Sequence, residues 1–343
     1  MSAEVAGGPL AVSTDGNTTA IGEGQEILAY DARNESPTWR SRRKGEVLDV
    51  VALPGEFVVL EDGGRMCGLA DDSGEERWSL DNLGANGKLG ASLDGHWALV
   101  AGGVLRIGQG DKKLRSIPLD NQDAVAVAFA GDVPVVAYPD GVLLFFPESG
   151  GSVSRQSIDP VYDLASDRED VLVACDTHVA RMPIEGRGQV LFSFEHPITL
   201  VTRSPTGRIL AARVGDAYVA AFADEGGTDL GMMRYHDRTV GGIAIDSRGS
   251  LWASCGEGHA NRLDLDSPDT IYRTDPHEGR PRGSWLVAMN VHAEAGKPNE
   301  AVAAEREVDN MNNMPLAARI GLSVFAVVVV IGGWLGLMWL LSD

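Results

Sequence analysis

An apolar run, a tight polar turn and further apolar runs recur along this chain about every forty residues, and that period constrains the fold more than any other feature. The first unit reads Leu10-Ala-Val-Ser-Thr-Asp-Gly16, then Thr19-Ala-Ile21 and Ile27-Leu-Ala-Tyr-Asp31. Later units turn at Leu53-Pro-Gly-Glu56, Ser92-Leu-Asp-Gly-His96, Ala130-Gly-Asp-Val133, Ser166-Asp-Arg-Glu169, Ser204-Pro-Thr-Gly-Arg208 and Asp246-Ser-Arg-Gly-Ser250. With Gly16, Gly55, Gly95, Gly131, Gly207 and Gly249 as marks, the gaps are 39, 40, 36, 76 and 42 residues, the fourth being two repeats. Seven units then cover roughly residues 9–275. Each has room for four strands of ordinary length joined by short turns. Alternation in Ile209-Leu-Ala-Ala-Arg-Val214 and Leu251-Trp-Ala-Ser-Cys255 supports strands, while the more continuous Val133-Pro-Val-Val-Ala-Tyr138 suits an inner strand buried on both faces. This is the arithmetic of an all-β, seven-bladed β-propeller with four-stranded blades. A pair of β-sandwiches does not account for the even period.

Composition agrees and narrows the function. Forty-two glycines in 343 residues fit a chain of many tight turns. With 49 Asp+Glu against 29 Lys+Arg, the net charge is −20, which argues against general nucleic-acid binding because a phosphate backbone would be repelled. Lysine occurs only at Lys44, Lys88, Lys112, Lys113 and Lys297. A carboxylate-dense, lysine-poor surface resembles the composition of haloarchaeal proteins, in which strong salt screening tolerates self-repulsion. Three scattered cysteines, Cys67, Cys175 and Cys255, form no CxxC pattern and read as reduced core residues.

The C-terminal end differs from the rest. Ile320 to Leu341 carries no charge, and 22 residues at 1.5 Å each reach roughly 33 Å, enough for a bilayer core of about 30 Å. Trp334 and Trp339 sit in its far half, where indoles favour an interface. We therefore expect a propeller over residues 1–292, a polar tether over 293–315 and a transmembrane tail anchor over 316–343. Arg319 borders the span on its N-terminal side, and Met1–Gly8 has neither the basic nor the apolar region of a signal peptide. Both place the N-terminal domain in the cytoplasm of a single-pass membrane protein. A strand-like run, Ser284–Val291, leaves open how the ring closes.

Leu69-Ala-Asp-Asp-Ser-Gly-Glu-Glu-Arg-Trp78, followed by Gly84, resembles the repeat of PQQ-type (quinoprotein-like) propellers. Tyr30-Asp31 through Trp39 to Gly45 is similar, with Asn34-Glu35-Ser36 in place of the Thr-Gly turn. The other units resemble degenerate WD-repeat blades. The resemblance implies that Trp39 and Trp78 dock neighbouring blades. It does not imply the quinone cofactor: the chain has no adjacent cysteines, and seven units stand where the quinoprotein dehydrogenases have eight.

No residues gather into a catalytic pattern, so we expect no enzyme, no cofactor and no small-molecule substrate. Cys175-Asp-Thr-His178 and Cys255-Gly-Glu-Gly-His259 fall at equivalent turns but a whole blade apart, and read as turn and core residues rather than metal ligands. Arg40-Ser-Arg-Arg-Lys44 is the one dense basic run. Arg40, Arg42, Arg43 and Lys44 read either as a solvated outer strand or as a contact for an acidic partner or lipid headgroups. The expected function is a membrane-anchored interaction platform for protein partners at or near the cytoplasmic face. The alternatives are an extracytoplasmic assembly factor of the outer-membrane-assembly propeller type, and a ligand-sensing propeller.

Overall fold

Seven antiparallel four-stranded sheets, each built from consecutive strands, make up the structure, a computed structural model. It describes residues 8–31, 36–148, 151–156, 159–194, 196–214, 218–223, 229–234, 240–254, 260–263 and 271–273. All of these belong to the first of two units, Met1–Gly296 and Lys297–Asp343. The inner strands of blades 1 to 7 are β1 (Leu10–Val12), β5 (Val47–Leu53), β9 (Lys88–Ala91), β13 (Ala126–Ala130), β17 (Val161–Ser166), β21 (Ile198–Arg203) and β25 (Gly242–Ile245). Each packs on the next, and β25 packs on β1, so the ring is closed. The propeller and its blade count are as the repeat predicts.

The repeat's glycine marks have a common physical cause. Each mark lies in the turn between the first two strands of its blade. Its φ is positive at all six, from +58° at Gly131 to +88° at Gly95, a conformation that favours glycine. In four of these turns the first residue also caps the chain four or five positions along. Ser13 Oγ accepts the N–H of Thr18, Ser92 Oγ that of His96, Ser204 Oγ that of Arg208, and Asp246 Oδ1 that of Ser250, at 2.9–3.2 Å.

Blades cohere through apolar seams. Seven buried clusters each join two neighbouring blades, one for every seam of a closed seven-membered ring. The seam between blades 7 and 1 sets Trp252 and Ala260 against Leu10, Ile21 and Tyr30. Ser254 Oγ donates to the Gly8 carbonyl and Ser247 N–H to the Gly16 carbonyl across the same seam. Blade 7 takes its four strands from one continuous stretch, so closure uses no exchanged strand. Ser284–Val291 lies outside the described residues, as does the expected span at 316–343. Among the described residues no helix is long and apolar enough to cross a membrane.

Candidate functional site

The seven inner strands run side by side around a central channel of about 640 Å³, lined by residues from every blade. Their common direction puts the first residues of all seven at one mouth, and the turns after them at the other. A strand of ordinary alternation would send every second side chain into this space. Blades 2, 5 and 6 depart from that pattern in the same way. The pairing register shifts between Val47 and Asp49 in β5, between Val161 and Asp163 in β17, and between Ile198 and Leu200 in β21, as β-bulges, and in blades 2 and 5 the residue after the bulge is an aspartate.

The bulges aim two carboxylates at the next blade. Asp49 Oδ2 accepts the N–H of Leu89 in β9 at 3.0 Å, and its Oδ1 accepts the N–H of Val50 at 2.9 Å. Asp163 Oδ2 accepts the N–H of Val201 in β21 at 3.0 Å. Each carboxylate thus satisfies a backbone donor that no strand partner reaches, and clips one blade to its neighbour. Both are half-buried in the channel wall. Burial pushes the Asp49 carboxyl up to about 6 and the Asp163 carboxyl up to about 7, against the pull of the backbone donors and of Lys88. The Asp49 charge adds to the rise at Asp163, which places the two within electrostatic reach across the channel. Sequence reasoning missed both, although Val47-Leu-Asp-Val50 and Val161-Tyr-Asp-Leu164 repeat one pattern at one position of the unit.

Around this mouth stand Leu48, 36% exposed, and Tyr162, 42% exposed, each immediately before its aspartate. The Tyr162 hydroxyl donates to Asp176 Oδ1 at 3.4 Å, and Lys88 is exposed beside β9's start. Arg213, from the second strand of blade 6, donates to Thr199 Oγ1 and to the Val240 carbonyl. The far end is tied differently. Ser166 Oγ donates to the Ala91 carbonyl at 2.7 Å and accepts the Phe129 N–H at 2.9 Å, joining blades 3, 4 and 5. Asp167 pairs with Arg203 of blade 6 and lies 3.4 Å from Arg181.

The structure separates the basic run. In β4 (Trp39–Arg42) exposure alternates: Arg40 and Arg42 face solvent, Trp39 and Ser41 face inward, and the alternation continues to exposed Lys44 and buried Arg43. Arg43 is 7% exposed and is therefore not a surface contact. Its Nε donates to Glu61 Oε1 at 3.0 Å and its Nη2 to Glu76 Oε2 at 2.8 Å, while Arg65 bonds both carboxylates at 2.6 Å. Burial alone would raise the Glu61 pKa. The Gly45 N–H and two guanidiniums outweigh it and hold the group ionised. Cys67 sits in the same network, its thiol pushed up to about 12 by burial, so it is a poor nucleophile at neutral pH.

Trp39 Nε1 donates to the Asp71 carbonyl of blade 2 at 3.0 Å, and its ring lies 6.3 Å from that of Phe57. Gly74, at φ +70°, is what lets the ring lie so close: a Cβ there would meet Trp39 Cε3 at 2.5 Å. Trp78 donates to Glu56 Oε2 at 2.9 Å and packs on the cluster between blades 2 and 3. Cys175 is buried and not in a disulfide, and His178 pairs its Nδ1 with Asp159 at 3.1 Å. Burial holds the His178 pKa below its ordinary value despite that carboxylate. Cys255, His259, Arg319, Ile320, Trp334, Trp339 and Leu341 lie outside the described residues. Among the described residues no three His, Cys, Asp or Glu side chains gather as a metal site.

Residues 1–130 match a family of propeller proteins described as "Outer membrane protein assembly factor BamB". That span takes in blades 1 to 3 and the inner strand of blade 4. No curated protein matches the chain. A solved structure described as "KlHsv2 with loop 6CD replaced by a Gly-Ser linker" superposes with a TM-score of 0.56 at 13% identity, covering 75% of this chain and 92% of that one. A likeness at that identity speaks to the propeller fold.

Proposed function

We propose that this chain is a non-enzymatic interaction platform, a propeller held at the cytoplasmic face of the membrane by a helix over Ile320–Leu341, where it binds protein partners at or near the bilayer. The observation that carries this reading is a closed, stiffly clipped ring with apolar side chains exposed at its channel mouth, Leu48 and Tyr162. Concave apolar surface beside polar groups is the usual form of a binding surface. The uncharged run of 22 residues supports the anchor. Crosslinking in native membranes, followed by purification at high salt, should capture a defined membrane or membrane-proximal partner. Recovery of the crosslinked protein as a lone monomer would count against the platform.

The match over residues 1–130 favours a second reading, an extracytoplasmic binding or assembly factor. The two differ in sidedness. Asp111 is exposed in the turn between β11 (Val104–Gln109) and β12 (Lys112–Pro118). A cysteine-free chain carrying Asp111→Cys should resist a membrane-impermeant maleimide in intact cells and react after lysis. Labelling of intact cells would reverse the order of the two readings.

A further inference from the structure

Of the four large apolar side chains exposed among the described residues, three line the central channel. Two of these, Leu48 and Tyr162, share one structural position: each is the second residue of its inner strand, and each is followed by a clipping aspartate. They stand at the same mouth, in blades 2 and 5, on opposite sides of the ring. Single exposed apolar groups on a convex surface need no explanation, but their gathering at a concave mouth does.

Among the described residues, charge at this mouth is unbalanced. Asp49, Asp163 and Asp176 supply three carboxylates, and Asp176 receives the Tyr162 hydroxyl. Lys88 supplies one ammonium, while the Arg213 guanidinium is engaged by Thr199 and the Val240 carbonyl. Each oxygen of a clipping carboxylate has two acceptor positions, and the backbone N–H takes one. A cation can therefore be received there without breaking a clip. A channel of about 640 Å³ admits a side chain or a loop tip, not a folded domain.

The geometry points to a docking site for a loop of a partner protein: one Arg or Lys side chain enters the channel between Asp49 and Asp163, and its apolar neighbours cover Leu48 and Tyr162. This rests on the reading of the chain as an interaction platform and gives the chemistry of the partner. The burial that keeps both carboxyls partly protonated near neutral pH gives the event a signature, because an arriving cation favours their ionised forms and expels protons.

Random peptides displayed against the full-length protein in detergent test it. Selected peptides should carry one Arg or Lys flanked by aliphatic or aromatic residues. A synthetic copy should lose about tenfold or more in affinity when its Arg is replaced by neutral citrulline. Comparable losses should follow Asp49→Asn with Asp163→Asn, which keeps one acceptor oxygen at each site for the N–H of the next blade, and Leu48→Ser with Tyr162→Ser. Leu114→Ser, on the outer strand β12, should change nothing. Calorimetry near pH 6.5 in buffers of different ionisation enthalpy should show proton release on binding. The inference is overturned if no peptide is selected, if selected peptides lack a basic residue, or if the mouth variants bind them unchanged. In that last case the peptides occupy another surface, so the platform stands while the channel mouth is refuted. If neither peptides nor a membrane partner are captured, both fall.

Discussion

Replacing Asp163 in two ways separates the clip from the charge. Asp163→Ala removes the acceptor of the Val201 N–H, whose residue is 5% exposed, and an unsatisfied buried donor costs about 1–3 kcal/mol. Asp163→Asn keeps an acceptor oxygen and removes the charge. A carboxyl raised from 3.8 to about 7 by burial corresponds to about 4 kcal/mol at 1.36 kcal/mol for each tenfold. Partial exposure of Asp163 reduces this to about 1–2 kcal/mol. The sign follows from proton binding. The folded state holds this proton more tightly than the unfolded state, so the contribution is fully present below about pH 4 and is lost as pH rises through about 7. Asp163→Asn should therefore come nearest the wild type at or below about pH 4 and exceed it near pH 8, by about 2–6 °C in melting temperature. Asp163→Ala should melt below Asp163→Asn at both values. Full-length protein in detergent, melted at fixed molar KCl and followed by far-ultraviolet circular dichroism, gives the comparison. Carboxylates held low by their partners, such as Glu61 and Glu76, move wild type and variants alike and cancel in the difference. If Asp163→Asn is destabilised at pH 8 as much as Asp163→Ala, the reasoning fails.

Two further outcomes follow from other parts of the ring. Arg43→Met strands Glu61 in the interior with one guanidinium instead of two, and should cost about 3–5 kcal/mol, whereas Arg40→Ala on the exposed face of β4 should stay within about 0.5 kcal/mol by the same melts. Lowering KCl from molar to about 0.1 M lengthens the screening distance from about 3 Å to about 10 Å and should lower the melting temperature of a chain of net charge −20, while a flat profile would remove the haloarchaeal reading of its composition.

The parts of the structure that show in the sequence are those fixed by local chemistry. A turn needing a positive φ demands glycine, and a Ser or Asp beginning it supplies the cap, so Ser13 to Gly16 and Ser92 to Gly95 announce themselves. The two ring tryptophans are legible for the same reason, since each is paired with a small residue, Gly74 under Trp39 and Gly68 under Trp78. What stayed hidden depends on partners in the next repeat, 18 to 40 residues away. Arg40 to Lys44 reads as one basic patch until strand alternation divides it, and only Glu61 and Glu76 on blade 2 explain why Arg43 is the member drawn inside. Asp49 and Asp163 read as the wet face of a strand. In an inner strand that face is the channel, and the donor each aspartate serves belongs to the next repeat, 40 residues on for Asp49 and 38 for Asp163.

The same facts explain how a chain so acidic holds a ring together. The seams are apolar clusters, which do not depend on the balance of charge, and the polar links across them mostly run between a side chain and a backbone group: Asp49 with Leu89, Asp163 with Val201, Ser166 with Phe129, Trp39 with Asp71. A link of that kind needs no opposite charge, and lysine is scarce here. Two guanidiniums that cross or approach a seam, Arg43 and Arg203, are buried or partly buried and meet carboxylates directly, where salt screens little, while Arg115 and Arg213 reach backbone carbonyls of the next blade. Cohesion is thus insulated from ionic strength at the seams, and the uncompensated carboxylates are left to the rims and to the channel mouth. That division assigns recognition to the surfaces where charge remains free to choose a partner, and stability to those where it does not.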